Sequence, residues 1–105
     1  MYYNYTLIMK EIHFTWNSTK AKTNLSKHKI SFEEATSVFS DDNARLIHDP
    51  AHSLEEERFL LLGISYKLRI LIVVHCVKDE NNEIRIISAR KASKKEQKQY
   101  GGYLL

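Results

Sequence analysis

Four arginines, Arg58, Arg69, Arg85 and Arg90, each border or interrupt an otherwise apolar run of this 105-residue chain. Arginine keeps its charge and is costly to bury unpaired, so each one asks for an anionic partner inside the protein or outside it. The planar guanidinium binds phosphate oxygens through two parallel hydrogen bonds, which makes phosphate a natural external partner. Groups able to move a proton stand nearby in sequence. Glu57 precedes Arg58 and His75 lies inside an aliphatic run, with His28, Lys27 and Tyr100 as secondary candidates. Such groups contribute about 10²–10⁴-fold to a rate, and preorganised positive charge is often the larger effect.

Each of these residues also has a structural reading. Arg58 follows three glutamates, so an internal ion pair competes with an external contact. Arg69 at the start of a strand could simply be solvated. His75 in an apolar strand fits a hydrogen-bonded core histidine as well as a proton carrier. In the stretch 84–91, regular alternation puts Ile84, Ile86, Ser88 and Arg90 on one face and Arg85, Ile87, Ala89 and Lys91 on the other. On that reading at most one of Arg85 and Arg90 sits at a reaction centre. His48 and His52 straddle Asp49-Pro50, but no Cys or His spacing matches a structural zinc site, so no metal and no cofactor is expected.

The elements that must position these groups follow from periodicity. Residues 11–16 alternate, with Ile12, Phe14 and Trp16 on one side, and predict a half-buried strand. Ser18 is the expected N-cap of a mostly polar helix from Thr19 to about His28. Ser31 and Glu34 form a capping box that opens a short helix through Phe39. Ala44 to His48 predicts a strand closed by Asp49-Pro50, and 51–56 a loop or single helical turn. Arg58 to Ser65 and Arg69 to Val77 predict two strands of a hairpin, the second buried on both faces. The turn Asp79-Glu80-Asn81-Asn82 joins the second to the arginine-bearing strand 84–91. A second capping box, Ser93 with Glu96, opens a basic helix that should stop near Tyr100, before Gly101-Gly102. The fold class is therefore α+β: a small antiparallel meander with two N-terminal helices and a C-terminal helix. Residues 1–8 form an extension, and 9–105 a single domain.

Composition narrows the classes. With 43% hydrophobic and 28% charged residues the chain is an ordinary globular protein. Its formal charge is only +3, but residues 85–98 hold six Lys or Arg against one acid, Glu96. Lys94, Lys95 and Lys98 there either form a solvated face or steer a polyanion. Cys76 is alone, no run approaches a membrane helix, and the first residues lack a secretion signal, so a cytoplasmic location is expected.

The residues Phe14-x-Trp16, Lys20, Asn24, Lys27-His28, Ser31-Phe32-Glu33-Glu34-Ala35 and Val38-Phe39 resemble the first half of the BrnT toxin family. Glu56-Glu57-Arg58-Phe59, Gly63, Arg69, Val73-Val74 and Arg85 to Ala92, with Glu96 and Tyr100, resemble its second half. The sequence departs from the family at Asn17, where Asp is usual, and at Lys29, where Gly is usual. The resemblance implies a RelE-like, metal-independent endoribonuclease toxin of a bacterial type II toxin–antitoxin pair. It also implies a BrnA-like ribbon-helix-helix antitoxin, a heterotetrameric complex, and operator DNA bound only through that antitoxin. The residues whose chemistry suits such a reaction are Arg58, Arg85, Arg90, His75 and Glu57 as the catalytic candidates, with Lys27, Arg69, Lys91, Lys94 and Tyr100 as candidates for binding RNA. A non-catalytic module that binds nucleic acid or a partner remains the alternative reading.

Overall fold

The computed structural model describes residues 12–49, 57–78 and 82–104. The expected extension 1–8, the loop 51–56 with His52, and most of the turn 79–82 lie outside them.

In chain order the elements are β1 (His13–Thr15), α1 (Ser18–His28), α2 (Phe32–Ser37) with a short 3-10 turn (Val38–Ser40), β2 (Arg45–Asp49), β3 (Arg58–Ile64), β4 (Ile70–Lys78), β5 (Glu83–Lys91) and α3 (Lys94–Leu104). Strands β2 to β5 form the expected antiparallel meander. The sheet order is β1-β5-β4-β3-β2, however, and β1 runs parallel to β5. The sheet is therefore mixed, a correction to the all-antiparallel expectation. A parallel pair needs a long crossover, here everything between β1 and β5, and such a pairing leaves no local mark in sequence.

Alternation divides the sheet into two faces. Leu61 on β3, Leu71 and Val73 on β4 and Ile84, Ile86 and Ala89 on β5 pack with Ile30, Phe32, Ala35, Val38 and Phe39 of the N-terminal helical layer. Ile12, Phe14 and Trp16 close the margin of this larger core, with the Trp16 ring edge-on to Phe32 at 5.9 Å. Each large aliphatic or aromatic side chain buried here contributes about 1.5–3 kcal/mol of transfer free energy. The opposite face is smaller: Leu62 and Ile72 pack with Ala92 and Tyr100 under α3. Gly63 is required where the 3-10 turn presses on β3, because a Cβ there would lie 2.8 Å from Val38 Cγ1.

Local capping explains the helix ends. Asn17, not Ser18, caps α1, its Oδ1 accepting from Lys20 N at 3.0 Å. Lys29 ends α1 in the left-handed region at φ 62°, a backbone that glycine adopts without strain. Ser31 caps α2 by accepting from Glu34 N, but the Glu34 carboxylate does not return to Ser31. The box opening α3 is reciprocal: Ser93 Oγ accepts from Glu96 N at 3.1 Å, and Glu96 Oε1 accepts from Ser93 N at 2.7 Å. Helix α3 continues through Gly101-Gly102 to Leu104, so the expected stop at Tyr100 is corrected. Two glycines weaken a helix by about 1 kcal/mol each without forbidding it.

Candidate functional site

Register decides which arginines meet. On β4, Leu71 and Val73 face the N-terminal helices and Ile72 faces α3. Val73 lies opposite Ala89 and Val74 opposite Ser88, but His75 lies opposite Ile86, so Ile87 is an extra residue bulged out of β5. Beyond the bulge the alternation resumes in the other phase. Arg85 opposite Cys76 and Arg90 opposite Ile72 therefore share the α3 side of the sheet. The expectation that they point to opposite faces is corrected, because a single bulge inverts the two-residue period.

Arg58 joins them. On β3, Leu62 faces α3, and Arg58 is four residues away on the same side. Phe59 lies opposite His75, so the same register carried one residue further sets Arg58 beside Cys76. Asp49, Arg58, Cys76 and Arg85 thus form one row across four strands. At about 4.8 Å between strands, the two arginine backbones are about 10 Å apart. The next row is Ile47, Leu60, Val74 and Ser88, in which Ile47 is 39% exposed. The third is Arg45, Leu62, Ile72 and Arg90, where α3 docks and Arg45 Nη1 donates to the Gln99 carbonyl.

Arg69 and Arg90 are engaged by internal carboxylates. Arg69 donates through Nε to Glu34 Oε2 at 2.9 Å and through Nη2 to Glu34 Oε1. Burial opposes charge on the enclosed Glu34, but hydrogen bonds from Arg69 and Ser65 outweigh it and hold the carboxyl below its usual range. Arg90 grips Glu96 with both terminal nitrogens, at 2.8 and 3.0 Å. That grip, with the Ser93 amide, lowers the Glu96 carboxyl to about 2. Arg58 lies opposite Asp49 in the β2–β3 register. Its Nε is shielded from solvent and is, among the described residues, the one buried side-chain polar atom with no hydrogen-bond partner. A buried donor left unmatched costs about 1–3 kcal/mol, more when charged.

The remaining expected site residues are dispersed. Glu57 is exposed at the start of β3, next to Arg58 in sequence. His75 is fully buried, its ring edge-on to Phe39 at 4.8 Å and 6.1 Å from the Phe59 ring. Burial lowers its pKa to about 4, against a weaker opposing effect of the Val73 carbonyl, so it is a neutral core residue at neutral pH. Tyr100 is also buried, and its hydroxyl donates to Asp41 Oδ2 at 2.7 Å. Desolvation and Asp41 push that phenol up to about 12, which makes it a clamp for α3. Lys91, opposite Leu71, belongs to the other side of the sheet and lines a shallow hollow with Arg69 and Gln97. Lys94 is exposed on the first turn of α3.

Lys27 lines a separate hollow of about 260 Å³ between α1 and the edge of β5, with Lys20, Thr23, His28, Ile87 and Ser88. Asn24 creates it. Its side chain accepts from Ala89 N at 3.1 Å and donates to the Ala89 and Ile30 carbonyls at 2.9 Å, taking the place of a neighbouring strand. The β1 ladder ends at Thr15 opposite Arg85, so the edge between Arg85 and Ala89 is left to the hollow. Asn24 carries no mark of burial in the sequence, because it is one polar residue in a mostly polar helix.

The fold and this face define a small α+β protein that presents arginines from neighbouring strands on one side of a mixed sheet. Residues 16–96 match the family model described as ribonuclease toxin, BrnT, of type II toxin-antitoxin system. The chain belongs to this family. Its fold is similar to the 1.1 Å crystal structure of the Brucella abortus ribonuclease toxin BrnT, with a TM-score of 0.60 and 23% identity over 77% of this chain and 96% of that one. No curated protein sequence matches the chain. No helix among the described residues is long and apolar enough to cross a membrane.

Proposed function

We propose that this toxin is a metal-independent endoribonuclease of RelE-like architecture, which cuts RNA on the arginine-bearing sheet face and so inhibits translation and growth in the cytoplasm. Its neutralising partner is a BrnA-like ribbon-helix-helix antitoxin in a heterotetramer, and operator DNA is bound only through that antitoxin. The observation that carries the reading is the unmatched, buried Nε of Arg58 on the same row as Arg85. A phosphodiester laid across these strands would lie over the row that holds Arg58 and Arg85. The two guanidinium groups would neutralise the charge that grows on the non-bridging oxygens as the 2′-hydroxyl attacks phosphorus and the bond to the 5′-oxygen breaks. Glu57, exposed beside Arg58 in the chain, is the carboxylate we assign to receive the 2′-hydroxyl proton. The leaving 5′-oxygen takes a proton from solvent or a neighbouring acid, giving a cyclic phosphate and a free 5′-hydroxyl.

Cleavage of RNA in excess chelator tests this. Arg58→Ala and Arg85→Ala should each lower the rate by about 10²-fold or more, whereas Arg90→Gln, which opens an internal pair, should cost far less. Full activity in both of the first two variants refutes the assignment. Absence of cleavage by the parent, with RNA still bound, favours the non-catalytic binding module.

A further inference from the structure

We infer that the hollow between α1 and the edge of β5 is a second nucleotide subsite, which holds the residue of an RNA strand next to the scissile phosphate. This rests on the cleavage reading above and extends it.

Three observations converge. First, the hollow is continuous with the arginine face, because Ser88 belongs both to the row beside Arg85 and to the wall of the hollow. An RNA strand that crosses the sheet past Arg58 and Arg85 would reach the hollow by turning along β5 from Arg85 to Ser88, beyond the end of β1. Second, the bulge that places Arg85 and Arg90 together also puts Ile87 into the same wall, so one irregularity shapes both places. Third, the lining suits one nucleotide. Lys20 and Lys27 supply charge for a phosphate, Thr23 and Ser88 supply hydroxyls for a ribose or base edge, and Ile87 and the half-buried His28 offer surfaces on which a base can lie. The volume, about 260 Å³, is just below the usual range of small-ligand pockets, about 300–1,000 Å³, and fits one nucleotide rather than a folded element. No acidic side chain is among the lining residues.

The shape of the hollow is held by Asn24, one of its lining residues. Asn24 anchors α1 to Ala89 below it, so side chains on the exposed surface of α1 can be changed without releasing the helix. Thr23 is exposed, and Thr23→Trp should fill the space while leaving the fold intact.

The test is a substrate series running from a dinucleotide to a hexanucleotide, assayed for kcat/KM on the full chain. Alongside it, a non-cleavable 2′-O-methyl hexanucleotide is followed by fluorescence anisotropy, with circular dichroism to confirm folding. In the parent, kcat/KM should rise at least about fivefold once the substrate extends beyond the scissile pair, the low end of one base contact. Thr23→Trp should abolish that gain. Lys27→Gln should weaken hexanucleotide binding by at least about fivefold and reduce the salt slope of log Kd by about 0.7, as loss of one phosphate contact does for single strands. A length gain kept by Thr23→Trp, or no length gain in the parent, overturns the subsite and leaves the cleavage reading standing. Loss of cleavage of every RNA by the parent removes the cleavage reading instead, and the anisotropy of Lys27→Gln then decides the hollow by itself. Variants that keep all RNA parameters but bind the antitoxin less tightly assign the hollow to the protein partner and overturn the proposal.

Discussion

His75 makes the most quantitative prediction. A ring buried between Phe39 and Phe59 is stable there only when neutral, and its pKa of about 4 lies well below the ordinary 6.5. In the unfolded chain the same ring takes up a proton as pH falls through 6.5, while the native ring stays neutral until about 4. The unfolded state therefore binds more protons in that window, so stability is fully present above pH 6.5 and is lost progressively as pH falls from 6.5 towards 4. A shift of this size, at 1.36 kcal/mol per pH unit, removes about 2–3 kcal/mol between pH 7.5 and 4.5. Against a typical total of about 5–15 kcal/mol this is a large fraction. Urea unfolding at both pH values should show it, provided the common loss from carboxylates is subtracted. His75→Phe, close in size and without a titratable ring, supplies that reference. With a slope near 1–3 kcal/mol per molar urea, the parent midpoint should fall about 1 M further than the variant midpoint. Parallel losses in parent and variant would falsify the buried neutral histidine. The same variant should still cleave RNA, and a folded but inactive His75→Phe would instead make the ring part of the chemistry.

Other perturbations have definite signs. Glu34→Gln leaves the part-exposed Arg69 without its carboxylate and should cost about 1–3 kcal/mol, read as a fall in the urea midpoint. Lys29→Gly relieves a left-handed residue and should raise stability by about 1 kcal/mol, seen as a Tm a few degrees higher; no change would mean the strain is absorbed elsewhere. Gly63→Ala drives a methyl group against Val38 and Ala44 and should cost about 1–3 kcal/mol, and a neutral outcome would show that the 3-10 turn yields freely. Arg90→Gln breaks a pair that is 43% exposed on the arginine side, so its stability cost should stay within about 1 kcal/mol in denaturant titrations.

Much of the framework was legible along the chain. Residues 13–15, 58–64 and 70–78 alternate or run apolar as strands do, and Ser31 and Ser93 announce helix starts, because these signals act over a few neighbouring residues. The arginines were visible as residues needing anionic partners, and the hydrophobic count was sufficient for one core. Partner choice was not visible. Glu34 looked like half of a capping box, yet its carboxylate reaches Arg69, 35 positions away. His75 looked equally suited to a core or a reaction.

What the amino-acid order determined by itself was the set of elements and the supply of charge, since both depend on local spacing and on side-chain chemistry. Only the folded sheet decided which charges meet. One extra residue at Ile87 reverses the facing of everything beyond it, β1 closes the far edge of β5 in parallel, and Asn24 stands in for a strand that is not there. A period of two is read locally, but its phase relative to a neighbouring strand is fixed only when the strands pair, and pairing is a long-range act.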